Sequence, residues 1–412
     1  MTEEQILEHL QNRLQHRLHH LSRLSNEQLR ERIRTTVLDY SKEAYLTHTQ
    51  INHFTQRLYD MYRGLDVVQP LMDDPHITAI MINSYDEIYI EREGSTVLSE
   101  QRFESQEAFI HWIYKITEKV RPSTDELPPL MDVRFENESH VNIVMPPVAV
   151  HGPTMTIHKR ADSTLTIDKW INKGSIPKDA ARLLQNLVRC KYNILISGET
   201  RSGKTTLLNA LTNSIPNDER IITIEDIAEL HVDEVPNRVQ MEAWRMTSDG
   251  LSRSSIRELI HRSLRMGANR LVLGEIRGAE AADLMQAMNG GLDGSLSTVN
   301  ACSAEDVLNR LETMMLAGGY LPAEVVRKQI CSAIDIIVHV ARLSDQSRRI
   351  VEISEVLGVR NGCIQLNPIY LYKDKQDKAL HPSGSLRRTS NEFVHTAKLY
   401  LSGMRENEWM LV

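Results

Sequence analysis

The chain has 412 residues, 41% of them hydrophobic, and a formal net charge of −7, enough length for two or three domains with complete cores. The acidic balance argues against a general nucleic-acid binder, which would carry a basic excess. Cys190, Cys302, Cys331 and Cys363 are scattered with no C-x-x-C pair, so neither a zinc site nor a disulfide framework is expected, which suits a reducing cytoplasm.

Residues 1–64 read as a helical extension. Ile6, Leu7, Leu10, Leu14, Leu18 and Leu21 recur at helical spacing with Arg13, Arg17 and Arg23 around them. Such a stripe either docks on a membrane protein or neighbouring subunit or packs on its own domain. Arg and Glu nearly balance over residues 1–34, which leaves no basic surplus for lipid headgroups. Residues 65–160 read as a small α/β domain. Ile77-Thr-Ala-Ile-Met-Ile-Asn, Glu87-Ile-Tyr-Ile-Glu-Arg-Glu-Gly, Val141-Asn-Ile-Val-Met and Thr154-Met-Thr-Ile are its strands, and residues 106–120 its amphipathic helix. Pro128-Pro129 and Pro146-Pro147 stop its elements.

Residues 161–175 read as a linker. From 176 to 372 strands alternate with helices, with strands expected at 193–197, 220–225 and 270–274, as in a parallel-sheet α/β domain. Helices are expected at 304–317 and 322–332, the second started by Pro322, and strands at 334–340 and 349–356. Residues 373–412 are polar and weakly patterned, a mixed tail. No apolar run approaches the roughly 18 residues of a membrane span, and Met1-Thr-Glu-Glu does not open a signal peptide. Any membrane role is expected to go through partners.

The strongest chemical signal lies at residues 193–206. Ile194–Ile196 form an apolar strand, Thr206-Leu-Leu-Asn-Ala-Leu begins a helix, and between them Gly198, Gly203, Lys204 and Thr205 meet the pattern G-x-x-x-x-G-K-[ST]. Triphosphate oxygens need several backbone N–H donors converging from one side, and glycines let the chain curl that closely. Gly198, Glu199, Thr200, Arg201, Ser202, Gly203, Lys204, Thr205 and Thr206 are thus the expected nucleotide site. Lys204 would place a cation by the β/γ-phosphates, and the Thr205 hydroxyl would ligate Mg²⁺. ATP and Mg²⁺ are the expected ligands.

Leu271-Val-Leu-Gly-Glu275 ends an apolar strand on an acid, the form of a Walker B element. Phosphoryl transfer needs a carboxylate at a strand tip to orient an attacking water, and Glu275 is the choice. Ile224-Glu-Asp-Ile-Ala-Glu229 puts three acids around another strand end. Glu225 or Glu229 could hold Mg²⁺ through water, and both stand next to Glu275 as catalytic candidates.

With these residues in place the chain resembles the secretion ATPases of the type II/IV secretion and pilus superfamily, most closely the CpaF-like ATPases of tight-adherence (Tad) pilus assembly. The likeness runs from about residue 65 to 372. It includes Ile77-Thr-Ala-Ile-Met-Ile-Asn, Met145-Pro-Pro-Val-Ala-Val-His-Gly-Pro, Thr223-Ile-Glu-Asp-Ile-Ala-Glu-Leu and Leu264-Arg-Met-Gly-Ala-Asn-Arg-Leu-Val-Leu-Gly-Glu-Ile-Arg-Gly. Met285-Gln-Ala-Met-Asn-Gly-Gly and Leu308-Asn-Arg-Leu-Glu-Thr-Met match too. The resemblance implies an α/β fold in which a RecA-like P-loop ATPase domain follows a small N-terminal α/β domain. It also implies a homohexameric ring on the cytoplasmic face of the inner membrane, docked on a polytopic platform protein.

Four departures stand out. The family's His box reads G-H-x-G-S-x-x-T-x-H-A, whereas Gly291-Leu-Asp-Gly-Ser-Leu-Ser-Thr-Val-Asn-Ala puts Leu292 and Asn300 at the histidines. Family members carry γ-phosphate arginines in the segments matching Ser139-His-Val-Asn and Thr156-Ile-His-Lys, where this chain has His140 and His158. Arginine is always charged and offers a planar fork to phosphate; neutral histidine gives one donor and little charge. Arg134, Lys159 and Arg160 could compensate, and Arg277 is a further candidate for the γ-phosphate. The expected function is an ATP-hydrolysing motor of pilus assembly or secretion. The alternative is a slowly hydrolysing scaffold or regulatory ring subunit, and a nucleic-acid translocase is disfavoured by the acidic balance.

Overall fold

The computed structural model describes residues 6–7, 9–10, 13–14, 26–62, 65–92, 95–118, 127–135, 137, 139–159, 166–232, 234–243, 254–319, 321–373 and 384–404. Leu18, Leu21, Arg17, Arg23 and Arg160 lie outside the described residues. The chain divides into two compact units, Met1–Asp162 and Ser163–Val412.

The first unit begins with helices α1 (Asn26–Ala44) and α2 (His48–Tyr62). Leu29, Ile33, Val37 and Tyr40 recur every three or four residues, so they share one face of α1. They pack with Leu10 and Leu14 against Phe54 and Leu58 of α2. Leu10 and Leu14 are therefore buried in their own unit, the second of the two readings of that stripe. After α3 (Gln69–Asp73) come β1 (Ile77–Ser84), β2 (Glu87–Arg92), β3 (Ser95–Leu98), α4 (Gln106–Glu118), β4 (Leu130–Arg134), β5 (His140–Val144) and β6 (Thr154–His158). The sheet order is β3-β2-β1-β6-β5-β4, with every neighbouring pair antiparallel.

Alternation puts Met131, Val133, Val141, Ile143, Met155 and Ile157 inside, in one cluster with Phe109, Trp112 and Ile113 of α4. The intervening residues face outward. Arg134 pairs with His140, and His140 with His158, so the three form one row across β4, β5 and β6. Directly opposed residues in an antiparallel sheet point to the same face.

The second unit runs α5 (Ile167–Asn172), α6 (Lys178–Arg189), β7 (Ile194–Gly198), α7 (Lys204–Thr212), β8 (Ile221–Glu225), β9 (Arg238–Glu242), α8 (Ile256–Ser263), β10 (Arg270–Ile276), α9 (Glu280–Asn289), β11 (Leu296–Asn300), α10 (Ala304–Gly318), α11 (Ala323–Ala333), β12 (Ile336–Arg342), β13 (Arg348–Arg360), β14 (Cys363–Lys373), β15 (Ser385–Arg388) and α12 (Ala397–Leu401). Its nine strands lie in the order β15-β14-β13-β12-β7-β11-β10-β8-β9. From β12 to β9 the neighbours are parallel, and from β12 to β15 antiparallel. Ile194 and Ile196 belong to the apolar cluster on one face of the sheet and Leu195 to that on the other. β7 is thus buried on both sides, as its unbroken apolar run requires.

Two segments depart from the sequence expectation. Within the expected linker, α5 buries Ile167 and Trp170 in the core of the second unit. The expected tail also joins that core, through Leu386, Phe393 and Leu399. The Tyr192 hydroxyl donates to the His395 carbonyl, the buried Glu355 carboxylate accepts the N–H groups of Val394 and His395, and Lys398 lies 2.7 Å from both Asp293 and Asp335. Such anchors are widely spaced and mostly polar, so no periodic pattern announces them.

Candidate functional site

The phosphate loop joins the end of β7 to α7. A Cβ at Gly198 would sit 2.2 Å from the Val340 carbonyl and 2.5 Å from the Ser202 Oγ, so only glycine fits there. Gly203 caps α7 at φ +102°, in the left-handed region, and Arg201 takes φ +65°. Glu199, Thr200 and Arg201 are exposed, whereas Thr205 and Thr206 are half-buried. The buried Ser202 hydroxyl has no hydrogen-bond partner within the protein. Lys204 is buried and donates from Nζ to the Glu199 carbonyl at 2.8 Å, across its own loop. Burial lowers the Lys204 pKa; Glu275 opposes that shift and Arg277 adds to it. Both side chains at the end of β10 therefore act on the loop lysine.

β10 meets β11 with a bulge. Leu273 pairs with Ser297 and Ile276 with Val299, so three steps along β10 match two along β11. The Thr298 hydroxyl donates to the Gly274 carbonyl at 2.7 Å in that interval. A bulge re-aims the side chain it carries, here Glu275. One oxygen of Glu275 accepts from the Asn300 side-chain amide. The other accepts from Arg277, at 2.8 Å from Nε and 2.7 Å from Nη2. Arg277 also lies 3.6 Å from Asp226.

Glu225, at the end of β8, is buried, and its carboxylate accepts the N–H groups of Glu229 at 2.9 Å and Leu230 at 3.0 Å. Desolvation pushes its carboxyl up to about 7, against the pull of those two N–H groups. Gly274 makes room for it, since a Cβ there would stand 2.9 Å from the Glu225 Cγ. Glu225 holds the turn that carries Asp226 and Glu229, and Glu229 is exposed. Sequence reasoning missed His339 on β12, which is buried with Nδ1 2.8 Å from the Ser197 Oγ on β7. Burial pushes His339 down to about 4, helped by the Lys204 charge and opposed by a backbone hydrogen bond at Cys302. Its only sequence signal is a polar residue within an otherwise apolar strand.

The second unit thus brings together the phosphate loop, Glu275, Arg277, Asn300 and the acids after β8. Arg134, His140 and His158 belong to the first unit. His140 is 3.9 Å from Asp132, and its Nδ1 is buried without a hydrogen-bond partner. Lys159 donates to the carbonyls of Leu71 and Asp74, so its cation is engaged in closing a turn. Leu292 packs against the apolar cluster that includes Leu195.

The site fits a magnesium–nucleotide complex: an orphaned hydroxyl, a buried lysine, a helix N-terminus and hard oxygen donors lie at the C-terminal ends of the parallel strands β7, β8 and β10. Among the described residues no group of three or more His, Cys, Asp or Glu side chains is placed to hold a metal. A cation there would draw much of its coordination from the phosphates.

The chain belongs to the family of type II/IV secretion system proteins, which it matches over residues 62–390. Among relatives, it is 30% identical over 308 residues to Rv3659c of Mycobacterium tuberculosis, a protein named for conjugal transfer, covering 73% of this chain and 87% of that one. It is 36% identical over 251 residues to the type IV secretion system protein PtlH of Bordetella pertussis, covering 55% and 74%. Among solved structures, the pilus retraction motor PilT with bound ADP matches at a TM-score of 0.50 and 13% identity, over 84% of this chain and 91% of that one. The Yersinia pseudotuberculosis ATPase DotB matches at a TM-score of 0.50 and 15% identity, over 70% and 77%. The fold is therefore the expected one, a RecA-like α/β domain preceded by a smaller α/β domain. Among the described residues no helix is long and apolar enough to cross a membrane.

Proposed function

We propose that the protein is an ATP-hydrolysing motor of a secretion or pilus-assembly machine. The observation that carries this reading is the convergence of Lys204, Glu275 and Arg277 at the ends of β7 and β10, the strands on either side of β11 in a RecA-like sheet. Lys204 and the amides of residues 198–206 hold the phosphates, with the Ser202 hydroxyl as an added donor. Thr205 and Glu229 would hold Mg²⁺, which would supply neutralisation of phosphate charge. Glu275 orients the attacking water at the end of its bulged strand. Arg277 stands beside Glu275 as a cation for the γ-phosphate. Glu225 acts as a positioning residue for the turn that presents Glu229.

The resemblance to CpaF-like ATPases supports a homohexamer on the cytoplasmic face of the inner membrane, docked on a polytopic platform protein. Ring subunits closing around nucleotide would convert γ-phosphate contacts into rigid-body domain movement. The resemblance implies γ-phosphate arginines at the positions of His140 and His158, and Arg134 shares one row of the sheet with them as a permanent cation. The second reading, a slowly hydrolysing ring subunit, is favoured by the histidines in that row and by Leu292 and Asn300 in the His box.

Steady-state phosphate release measured beside ATP affinity tests both readings. Tight binding with turnover supports the motor, and tight binding without turnover supports the scaffold. Absence of ATP binding overturns both.

A further inference from the structure

Asn300 occupies a position from which it meets both halves of the candidate site. β11 lies between β7 and β10, and Asn300, its last residue, pairs in register with Gly198 at the start of the phosphate loop. Its side-chain Nδ2 donates to the Glu275 Oε1 on the other neighbouring strand. Arg277 takes Oε2, so the carboxylate is gripped from two sides. A carboxylate can only accept, so the NH₂ of Asn300 and not its carbonyl must face Glu275.

We propose that Asn300 is the positioning residue of Glu275, a neutral donor that keeps the carboxylate in one orientation at the end of β10. The family pattern has histidine here. A neutral imidazole donates toward Glu275 in only one of its two tautomers, and the imidazolium, which donates from both nitrogens, adds a charge that comes and goes near neutral pH. A carboxamide always has two N–H donors and never gains charge. Asn300 is thereby a working substitution, and the orientation of Glu275 becomes independent of a titrating neighbour. The inference rests on the reading of Glu275 as the residue that orients water.

Around this pair, Glu275 interacts with the charges of Lys204 on α7 and Arg277 after β10, Arg277 with Asp226 and Glu229 at the end of β8, and Lys204 with Glu199 in the loop and His339 on β12, while Glu225 lies against Gly274. His339 is neutral at physiological pH. Glu225 changes charge near neutrality, so the test compares variants in which it is constant.

The experiment uses the full chain with Asn300→Ala, Asn300→Asp, Asn300→His and Glu275→Gln, measuring phosphate release and ATP affinity from about pH 6 to 8. Asn300→Asp sets a second carboxylate against Glu275 and should lower turnover about 10²-fold with ATP affinity within about threefold. Asn300→Ala should lower turnover about tenfold. The ratio of Asn300→His turnover to parent turnover should change across this pH range, because only the variant carries a titrating donor. Parent-like turnover in the alanine and aspartate variants, or a flat ratio for the histidine variant, overturns the proposal. So does a loss of ATP affinity equal to the loss of turnover, which would assign Asn300 to the loop. If Glu275→Gln turns over like the parent, the reading of Glu275 fails and takes the proposal with it. If Glu275→Gln is slow but the Asn300 variants are not, only the proposal fails.

Discussion

Arg277 lays its guanidinium along one oxygen of Glu275, at 2.8 Å from Nε and 2.7 Å from Nη2, with Asp226 3.6 Å from Nη1. One arginine thus stands between two acids at the ends of adjacent parallel strands. If Arg277 serves the γ-phosphate as proposed, phosphate at the loop would compete with Glu275 for that cation. Arg277→Ala should lower ATP turnover about 10²-fold at saturating ATP, because a donor aimed at developing charge is lost. Arg277→Lys keeps the charge without the fork and should lie between the two. Phosphate-release rates of the three proteins decide it, and equal rates would remove Arg277 from the phosphate shell.

Lys204→Ala should weaken ATP binding at least about tenfold, since a charge-assisted phosphate contact is removed. Within the protein the substitution removes the bond from Nζ to the Glu199 carbonyl and the charge that faces Glu275, so the unfolding midpoint should move little compared with the loss of affinity. Calorimetric titration with ATP checks the affinity, and an unchanged value would sink the assignment of the loop.

Glu275→Gln should spare ATP affinity and lower turnover about 10²- to 10⁴-fold, because the side chain keeps its shape without the charge that orients water. Undiminished turnover would move the role to Glu229. Glu225 is the weaker successor, since the amides of Glu229 and Leu230 occupy its carboxylate.

Glu225 links stability to pH. Its carboxyl is raised by burial from 4.5 to about 7, so the folded state holds a proton that the unfolded state releases. The associated stability is complete below about pH 4.5 and is lost as pH rises through about 7. Glu225→Gln keeps a carbonyl acceptor without the charge. Relative to the parent it should gain on the order of 3 kcal/mol between about pH 5 and pH 8. Denaturant unfolding of both proteins at the two pH values measures the difference, and parallel pH dependences would refute it.

His140→Arg with His158→Arg should raise turnover more than ATP affinity if the row across β4, β5 and β6 meets the γ-phosphate. The two arginines would face each other in register, and like charges directly opposed should cost up to about 1 kcal/mol of stability. Restoring histidine at Leu292 and Asn300 alone should help less, as Leu292 packs in an apolar cluster and Asn300 already donates to Glu275. A double arginine variant no faster than the parent would favour Arg134 as the compensating cation, to be tested by alanine substitution.

Much of the molecule was legible in its residues because the relevant physics is local. Gly198, Gly203 and Lys204 mark a phosphate loop through backbone freedom and charge, both properties of adjacent residues. The run at Ile194–Ile196 identifies a strand buried on both faces because periodicity is a short-range signal. Tertiary structure alone decided what depends on neighbours distant in sequence. The bulge opposite Thr298 aims Glu275, the closeness of Gly274 buries Glu225 against the N–H groups of Glu229 and Leu230, and pairing of three strands aligns Arg134, His140 and His158. Residues 373–412 read as a mixed tail because Phe393, Leu399, His395 and Lys398 find their partners near Tyr192, Asp293, Asp335 and Glu355. Asn300 looked in sequence like a lost histidine; its contact with Glu275 exists because β11 lies between β7 and β10, and strand order is a property of the whole sheet.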